Sequence, residues 1–474
     1  MPIPSVNVAI RDPGLGIVEG PAANAQCVIG VTSQGVANTF YAYQTISDLV
    51  SNLGTGPGVE AAALALSIDG HGSVYLVRPQ TSVAGSNSVV TPSGSGPLVA
   101  VSGTPLDDYQ GVVRIVSDGA VGTATFVISL DGGDNFSSVI TTAASYPIPG
   151  TGLTAAFPAG TYVANDTYSW NSLAPAMNVT DLVAALDAAV AGTPRFGILH
   201  IVGAPATAID AATLAASVEV KLQEIAASKK RWLRALIHVP DVPDASLVSA
   251  FGNVAASRVC ACAGFAETVS AVSLRAYKRS SGFAVAARVG AAPLSEHLGR
   301  VASGSLIGVR RIYRDEAVTE RLDAARFTTL RTWVGRQGYY ITRGRLLAPA
   351  GSDYQQIQLG RIADVACTAV YDRLLDYEND SVRVYPLRDA KAGRILESDA
   401  RAIDTELEAV LKDVLVNTTP QHVSDVQARV VRTDNILSTA ELRAEIAIVP
   451  KGYLEVIRAT IALTNPAIRE LEAA

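Results

Sequence analysis

The side chains best suited to chemistry are five histidines, His71, His200, His238, His297 and His422, in a chain that also carries many Ser and Asp residues. A hydrolytic triad needs a nucleophile on a sharp strand-to-helix turn, a histidine beside it and a carboxylate behind that histidine. His200 and His238 instead sit inside apolar runs, FGILHIVG and WLRALIHVP, which is the pattern of core histidines with satisfied rings. No Gly-x-Ser-x-Gly elbow follows a strand, and the nearest stretch, GSGPL at 94–98, lies in a polar region. The run GTGPG at 54–58 lacks the Lys-Ser/Thr of a phosphate loop and follows a helical stretch, so it reads as a turn. DGGDN at 131–135 sets two carboxylates around glycines but has no distal bidentate Glu, and reads as a hairpin turn rather than a calcium loop. Cys27, Cys260, Cys262 and Cys367 are too few and scattered for a disulfide framework, and Cys-Ala-Cys lacks the second pair of a zinc site. KKRW at 229–232 reads as the basic last turn of a helix and RRIYRDE at 310–316 as a mixed-charge face. The expectation is a protein without catalytic residues, metal or cofactor.

The composition points the same way. A net charge of -6 and a pI near 5.5 oppose nucleic-acid binding, which needs a basic surface. Apolar residues make up 49% and charged residues 17%, with a mean hydropathy of +0.26. The apolar runs are about seven residues long, against the roughly 20 of a membrane-spanning helix, so no membrane insertion is expected. The amino terminus shows no basic segment followed by an apolar one, so no secretory signal is expected. A soluble chain so poor in charge is best explained if much of its surface is buried against copies of itself.

At 474 residues the chain exceeds one hydrophobic core, and the pattern divides it. Residues 1–20 read as an extended arm. Strands at 27–35 and 72–79 with helices at 46–53 and 59–69 make a first α/β piece over 21–81. Over 82–175 Gly, Ser, Thr and Val dominate and Lys is absent; alternating runs at 112–118 and 123–133, bounded by turn residues, predict an inserted all-β domain, peripheral and dispensable for the core. Over 176–350 helices at 179–190, 211–229 and 245–255 alternate with strands at 196–203, 232–240 and 259–262, which predicts βαβ units and a largely parallel sheet. Past Tyr277 the pattern is irregular until 327–348. Residues 351–452 read as an α+β domain with helices at 357–377 and 398–415, the second capped by Ser398 and acidic. Strand-like runs follow at 423–434 and 441–452, and a last one opens the terminal segment 453–474. The fold class is thus α/β multidomain: a largely parallel α/β core, an inserted all-β domain, an α+β C-terminal domain and extended terminal arms.

Four segments in this order resemble the contractile phage tail sheath family: PSVNVAIRDPG leading to CVIGVTSQG; HGSVYLVRP; LGRIADVACTAVYDRLLDYENDSVRV, with Arg361 lacking the usual adjoining Asn; and VRTDNILSTAELRAEIAIVPKGYLEVIRATIALTNP. The resemblance implies a structural subunit of stacked hexameric rings around a tail tube, joined to baseplate and tail terminator proteins, made in a bacterial cytoplasm and resident in a virion tail or tail-like particle. It also implies an outward-facing insertion and terminal strands that add to the sheets of neighbouring subunits. The residues suited to such strand addition are Ile3, Val6, Val8 and Ile10 in the first arm and Val456, Arg458, Thr460 and Ile461 in the last strand. Asp399, Asp404, Glu408 and Lys412, on the acidic helix, are the candidates for facing the tube. Two other readings are weighed against this one: a particle-borne α/β hydrolase, opposed by the missing triad, and a tail tube or baseplate protein, opposed by the βαβ block.

Overall fold

The computed structural model describes residues 22–192 and 194–459; Ile3, Val6, Val8, Ile10, Thr460 and Ile461 lie outside them. The chain starts with β1 (Gln26–Ile29), β2 (Phe40–Tyr43), α1 (Ile46–Leu53), α2 (Pro57–Leu66) and β3 (Val74–Val77). Thr45 caps α1 by accepting from the Asp48 amide, and Pro57 opens α2 at a position where no amide is needed. Eleven short strands then run from Ser86 to Leu173. Alternation resumes with α3 (Val179–Ala191), β4 (Ile198–Ile201), α4 (Ala208–Lys229), β5 (Arg234–His238), α5 (Asp244–Phe251) and β6 (Val259–Cys262).

These elements build a six-stranded sheet in the order β6-β5-β4-β1-β3-β2, parallel throughout except for the edge strand β2. Alternate strand residues feed opposite layers. Ile29, Leu199 and Ile237 pack with Leu186, Leu222 and Phe251 of α3–α5, while Val28, Val74 and Leu76 pack with Leu49, Val59 and Leu64 of α1 and α2. Glycine has one clear use here. A Cβ on Gly58 would lie 2.6 Å from the Gly30 carbonyl oxygen, so GTGPG is the turn that lets α2 touch the end of β1.

The segment between β3 and α3 has its own core of Val113, Ile115, Phe126, Phe157, Tyr162 and Trp170. It is nevertheless tied in by charge. Arg279, 3% exposed, holds Asp107 at 2.7 Å and Asp108 at 3.1 Å, and burial pushes the Asp107 carboxyl up to about 7 against the pull of that guanidinium. Removing residues 82–175 would take both carboxylates from a buried arginine.

The stretch past Tyr277 is more regular than expected. It lies among β7 (Phe265–Val269), β8 (Ala276–Ser280), α6 (Gly282–Ala291), β9 (Val309–Ile312), β10 (Leu330–Trp333) and β11 (Arg336–Ile341). Eight of the ten α6 residues are buried, so GFAVAARVGA shows no polar face from which a helical period could be read.

The C-terminal unit comprises α7 (Ile357–Leu374), α8 (Glu397–Leu415), β12 (Val423–Val430), the short α9 (Ile436–Thr439) and β13 (Ala444–Pro450). Ile403, Leu407, Leu411 and Leu415 of α8 cover Val423, Val426, Ala428 and Val430 of β12. Ser398 is not the helix cap: α8 starts after Leu396 with no side-chain cap, because Ser398 and Asp399 are turned to Arg383. Residues 453–459 form no strand within the chain, and Leu454, Val456 and Ile457 are exposed.

Candidate functional site

The histidines are placed first, because they were the residues with catalytic potential. His200 and His238 are fully enclosed and join a polar chain through the sheet. The His71 Nδ1 lies 2.8 Å from the Gly72 carbonyl oxygen and its Nε2 3.1 Å from the Gln26 amide; the other end of that amide lies 3.3 Å from His200 Nδ1. His200 Nε2 meets His238 Nε2 at 2.9 Å, and the Gly203 amide reaches His238 Nδ1 at 3.5 Å. With a carbonyl at one end and an N–H donor at the other, every partner is satisfied by neutral rings if Gln26 turns its oxygen to His200 and its NH2 to His71. Burial keeps both inner rings uncharged, lowering His200 well below the usual range and His238 to about 3. Among the described residues no serine or carboxylate belongs to this chain of contacts, so it is not the arrangement of a hydrolytic triad.

The remaining candidates of the polar loops also resolve as structure. Asp131 accepts from Ser129, from the Asn135 amide and from the Asn135 side chain, which spends the DGGDN carboxylate on its own turn. Among the described residues no three His, Cys, Asp or Glu side chains group as metal ligands. A cleft of about 570 Å³ beside Arg326 and Arg345 is lined by no acid, histidine or cysteine.

What the molecule does offer is an incomplete sheet. β12 and β13 pair antiparallel only with each other among the described residues. Ile446 and Val449 on β13 are exposed, as are Leu454, Val456 and Ile457 after it. A two-stranded sheet of this kind is a ready place for another strand.

The proposed tube-facing residues sit beside that sheet, and the structure engages each of them internally. Asp404 accepts from the Val430 amide at 2.6 Å and from the Arg432 guanidinium at 2.6 Å. Glu408 accepts from the Ala428 amide at 3.3 Å and pairs with Lys412 at 3.3 Å. Asp399 is gripped by Arg383, which holds its carboxyl at about 2. The exposed residues of α8 are Ser398, Arg401, Ala402, Thr405, Ala409 and Asp413, which do not make an acidic face.

Both terminal segments are rooted at one corner of the molecule. Arg361, fully buried in α7, donates to the carbonyl oxygens of Val289 and Ala23 and to the Asn24 side chain, which itself donates to Ala292. Among the described residues no carboxylate forms an ion pair with this guanidinium, and burial lowers its pKa to about 10 against the weaker pull of Asp364. Sixteen hundredths of the His297 side chain is exposed where it faces Glu455, which also takes Arg343 at 3.1 Å and Gln356 at 2.7 Å. Tyr453 donates to the Ser295 carbonyl at 2.9 Å. Residues 289–297 and the first turn of α7 therefore hold the chain both where it leaves residue 22 and where it passes residue 455. Sequence reasoning singled out Arg361 only through its missing neighbour; its partner Asn24 stands 337 positions away.

The family model for the DUF2586 N-terminal domain matches residues 3–345. No curated protein matches the sequence. A chain of the anti-feeding prophage baseplate is similar in fold with a TM-score of 0.52 and 10% identity, covering 98% of this chain and 100% of that one. A chain of the PVC sheath complex in its contracted state, from an extracellular contractile injection system, gives a TM-score of 0.51 and 9% identity over 98% of both chains. A sheath tail protein from Listeria innocua aligns over 90% of this chain and 94% of that one at 11% identity and a TM-score of 0.45.

Proposed function

This chain belongs to the DUF2586 family, and from that premise we propose that it is the sheath subunit of a contractile tail or tail-like injection machine. The observation that carries the reading is the match of fold over nearly the whole length of both chains to a protein of a contracted sheath complex. The open β12–β13 sheet supports it, since a subunit that completes its sheet with strands of its neighbours must present such an edge. Copies stack as six-membered rings around a tail tube and meet a baseplate at one end and a terminator at the other. The terminal segments, with Ile3, Val6, Val8 and Ile10 at one end and Val456, Arg458, Thr460 and Ile461 at the other, supply the added strands. Rings rotate as rigid bodies between an extended and a contracted packing, and the strands keep neighbours joined while the tube is driven through a target envelope. A gain of about a few kcal/mol per copy is enough, because the lattice sums it. The tube-facing role of Asp399, Asp404, Glu408 and Lys412 is kept only for the parts of these side chains that their internal partners leave free.

Negative-stain images of the purified full chain test this reading. Hollow cylinders are expected, and removal of residues 1–11 is expected to leave a folded monomer that forms none. A wild-type protein that stays monomeric at every concentration and salt would overturn it.

A further inference from the structure

The two edges of the C-terminal sheet are not alike. Within the antiparallel pair, alternate residues of β12 turn their amides away from β13. These are Val426, Ala428 and Val430, opposite Ile448, Ile446 and Ala444. Each of these three amides is taken by a carboxylate: Val426 by the adjacent Asp425 at 2.9 Å, Ala428 by Glu408 at 3.3 Å and Val430 by Asp404 at 2.6 Å. The Val430 carbonyl is taken as well, by Arg432 at 2.5 Å. On β13 the matching outward amides belong to Ala444, Ile446 and Ile448, and among the described residues no side chain accepts from them.

We propose that Asp404, Glu408 and Asp425 are edge guards, which seal β12 and confine strand addition by a second copy of this chain to the outer edge of β13. An incoming backbone offers carbonyl oxygens to free amides. At β12 it would have to displace charged acceptors that already hold those amides, with Asp404 and Glu408 anchored by Arg432 and Lys412, and it would set its own carbonyls against carboxylates. At β13 it meets, among the described residues, no side chain that already holds those amides. The sheet therefore grows in one direction, and a second added strand must pair with the first and not with β12. The occupant is a terminal segment of another copy, because the chain has 21 residues before and 15 after the described 22–459 and β13 lies just ahead of the exposed 454–457. This inference rests on the sheath reading for the identity of the added strand, but the sealing of β12 belongs to the single chain.

The test is hydrogen exchange of the full chain, as monomer and as assembled polymer, read by mass spectrometry with fragmentation to single amides. In the monomer the Val426, Ala428 and Val430 amides should exchange about tenfold or more slowly than those of Ala444, Ile446 and Ile448, as bonds to charged acceptors imply. Assembly should then protect the β13 amides and leave those of β12 unchanged. Asp404→Ala with Glu408→Ala should speed Ala428 and Val430 by about the same factor, whereas Asp404→Asn with Glu408→Gln, which keep an accepting oxygen, should restore most of the protection. Asp425→Ala, at an exposed position, reads Val426 by itself if the alanine pair does not fold. Equal exchange at both edges of the wild-type monomer, or protection of β12 on assembly, overturns the guards. Absence of any polymer overturns the sheath reading and leaves the monomer comparison to decide the guards.

Discussion

Five strands of the central sheet, β1 and β3 to β6, are buried at every residue between two layers of helices, whereas β13 of the C-terminal sheet keeps one face and one edge in water. The contrast extends to polar groups. In the centre an Arg234–Asp364 pair with contacts of 2.6 and 2.8 Å and the Gln26–His200–His238 part of the polar chain are buried. At the C-terminal sheet the polar groups close one edge and leave the other. A sheet of the first kind is finished when the chain folds, and its stability belongs to the monomer. A sheet of the second kind is left two-stranded among the described residues, and if a neighbouring copy completes it as proposed, damage to it should appear in assembly before it appears in melting.

The largest effect expected from this difference is at Arg234. Arg234→Met leaves the Asp364 carboxylate buried without its hydrogen-bonded partner, with Arg258 at 3.5 Å and Arg361 as the cations still near it, and should cost about 4 kcal/mol in denaturant unfolding. A loss below about 1 kcal/mol would mean that the centre is less closed than described.

Acid gives the next largest effect. A histidine whose folded pKa is lowered takes up its proton more readily when unfolded, so its burial costs nothing above the unfolded value near 6.5 and destabilises increasingly as pH falls toward the folded value, about 3 for His238. From pH 7 to pH 5 that amounts to about 2 kcal/mol for this ring. Asp107, pushed up to about 7, works in the opposite sense, gaining its proton in the folded state first as pH falls. The comparison that isolates the ring is wild type against His238→Gln, which keeps a donor for His200: unfolding curves at the two pH values should differ by about 2 kcal/mol more in the wild type.

At the open sheet the order reverses. Ile446→Pro removes an outward amide that bonds to nothing among the described residues, so unfolding should change by about 1 kcal/mol or less, while cylinders are lost from electron micrographs. If Ile446→Pro unfolds the monomer as Arg234→Met does, the two sheets are not different in kind. The smallest effect is expected after β13: Val456→Ser with Ile457→Ser, both strongly exposed, should leave melting within about 0.5 kcal/mol of wild type and lower only the extent of assembly.

Much of the central architecture was legible because caps and apolar periods agree there. The helix read at 46–53 is α1, Ile46–Leu53, and the strand read at 259–262 is β6, Val259–Cys262. The helix α6 was hidden because Phe283 to Val289 is apolar on nearly all sides, which gives no period. The acidic residues of α8 were legible as a helix face but not as edge seals. Their partners, the amides of Ala428 and Val430, lie 20 and 26 residues further along, and only the packing of α8 on β12 brings them together. The roots of the terminal segments were harder still, since Arg361 meets Asn24 and Ala23 across most of the chain. Such pairings follow from tertiary geometry and leave no spacing to read.

The shared corner at Arg361, Ser295 and Glu455 has a mechanical consequence. A pull on one terminal segment that is answered by a pull on the other has a short path through residues 22–24, the end of α6 and the residues after it up to 297, the first two turns of α7 and residues 453–455. If neighbours are joined through the terminal segments as proposed, tension between them runs through a short strut at one corner, and the central sheet and the strands between Ser86 and Leu173 hang beside the line of force like panels on a frame. Foreign sequence grafted at the exposed turn around Gly122 or Gly150 would add weight to a panel without lengthening the strut.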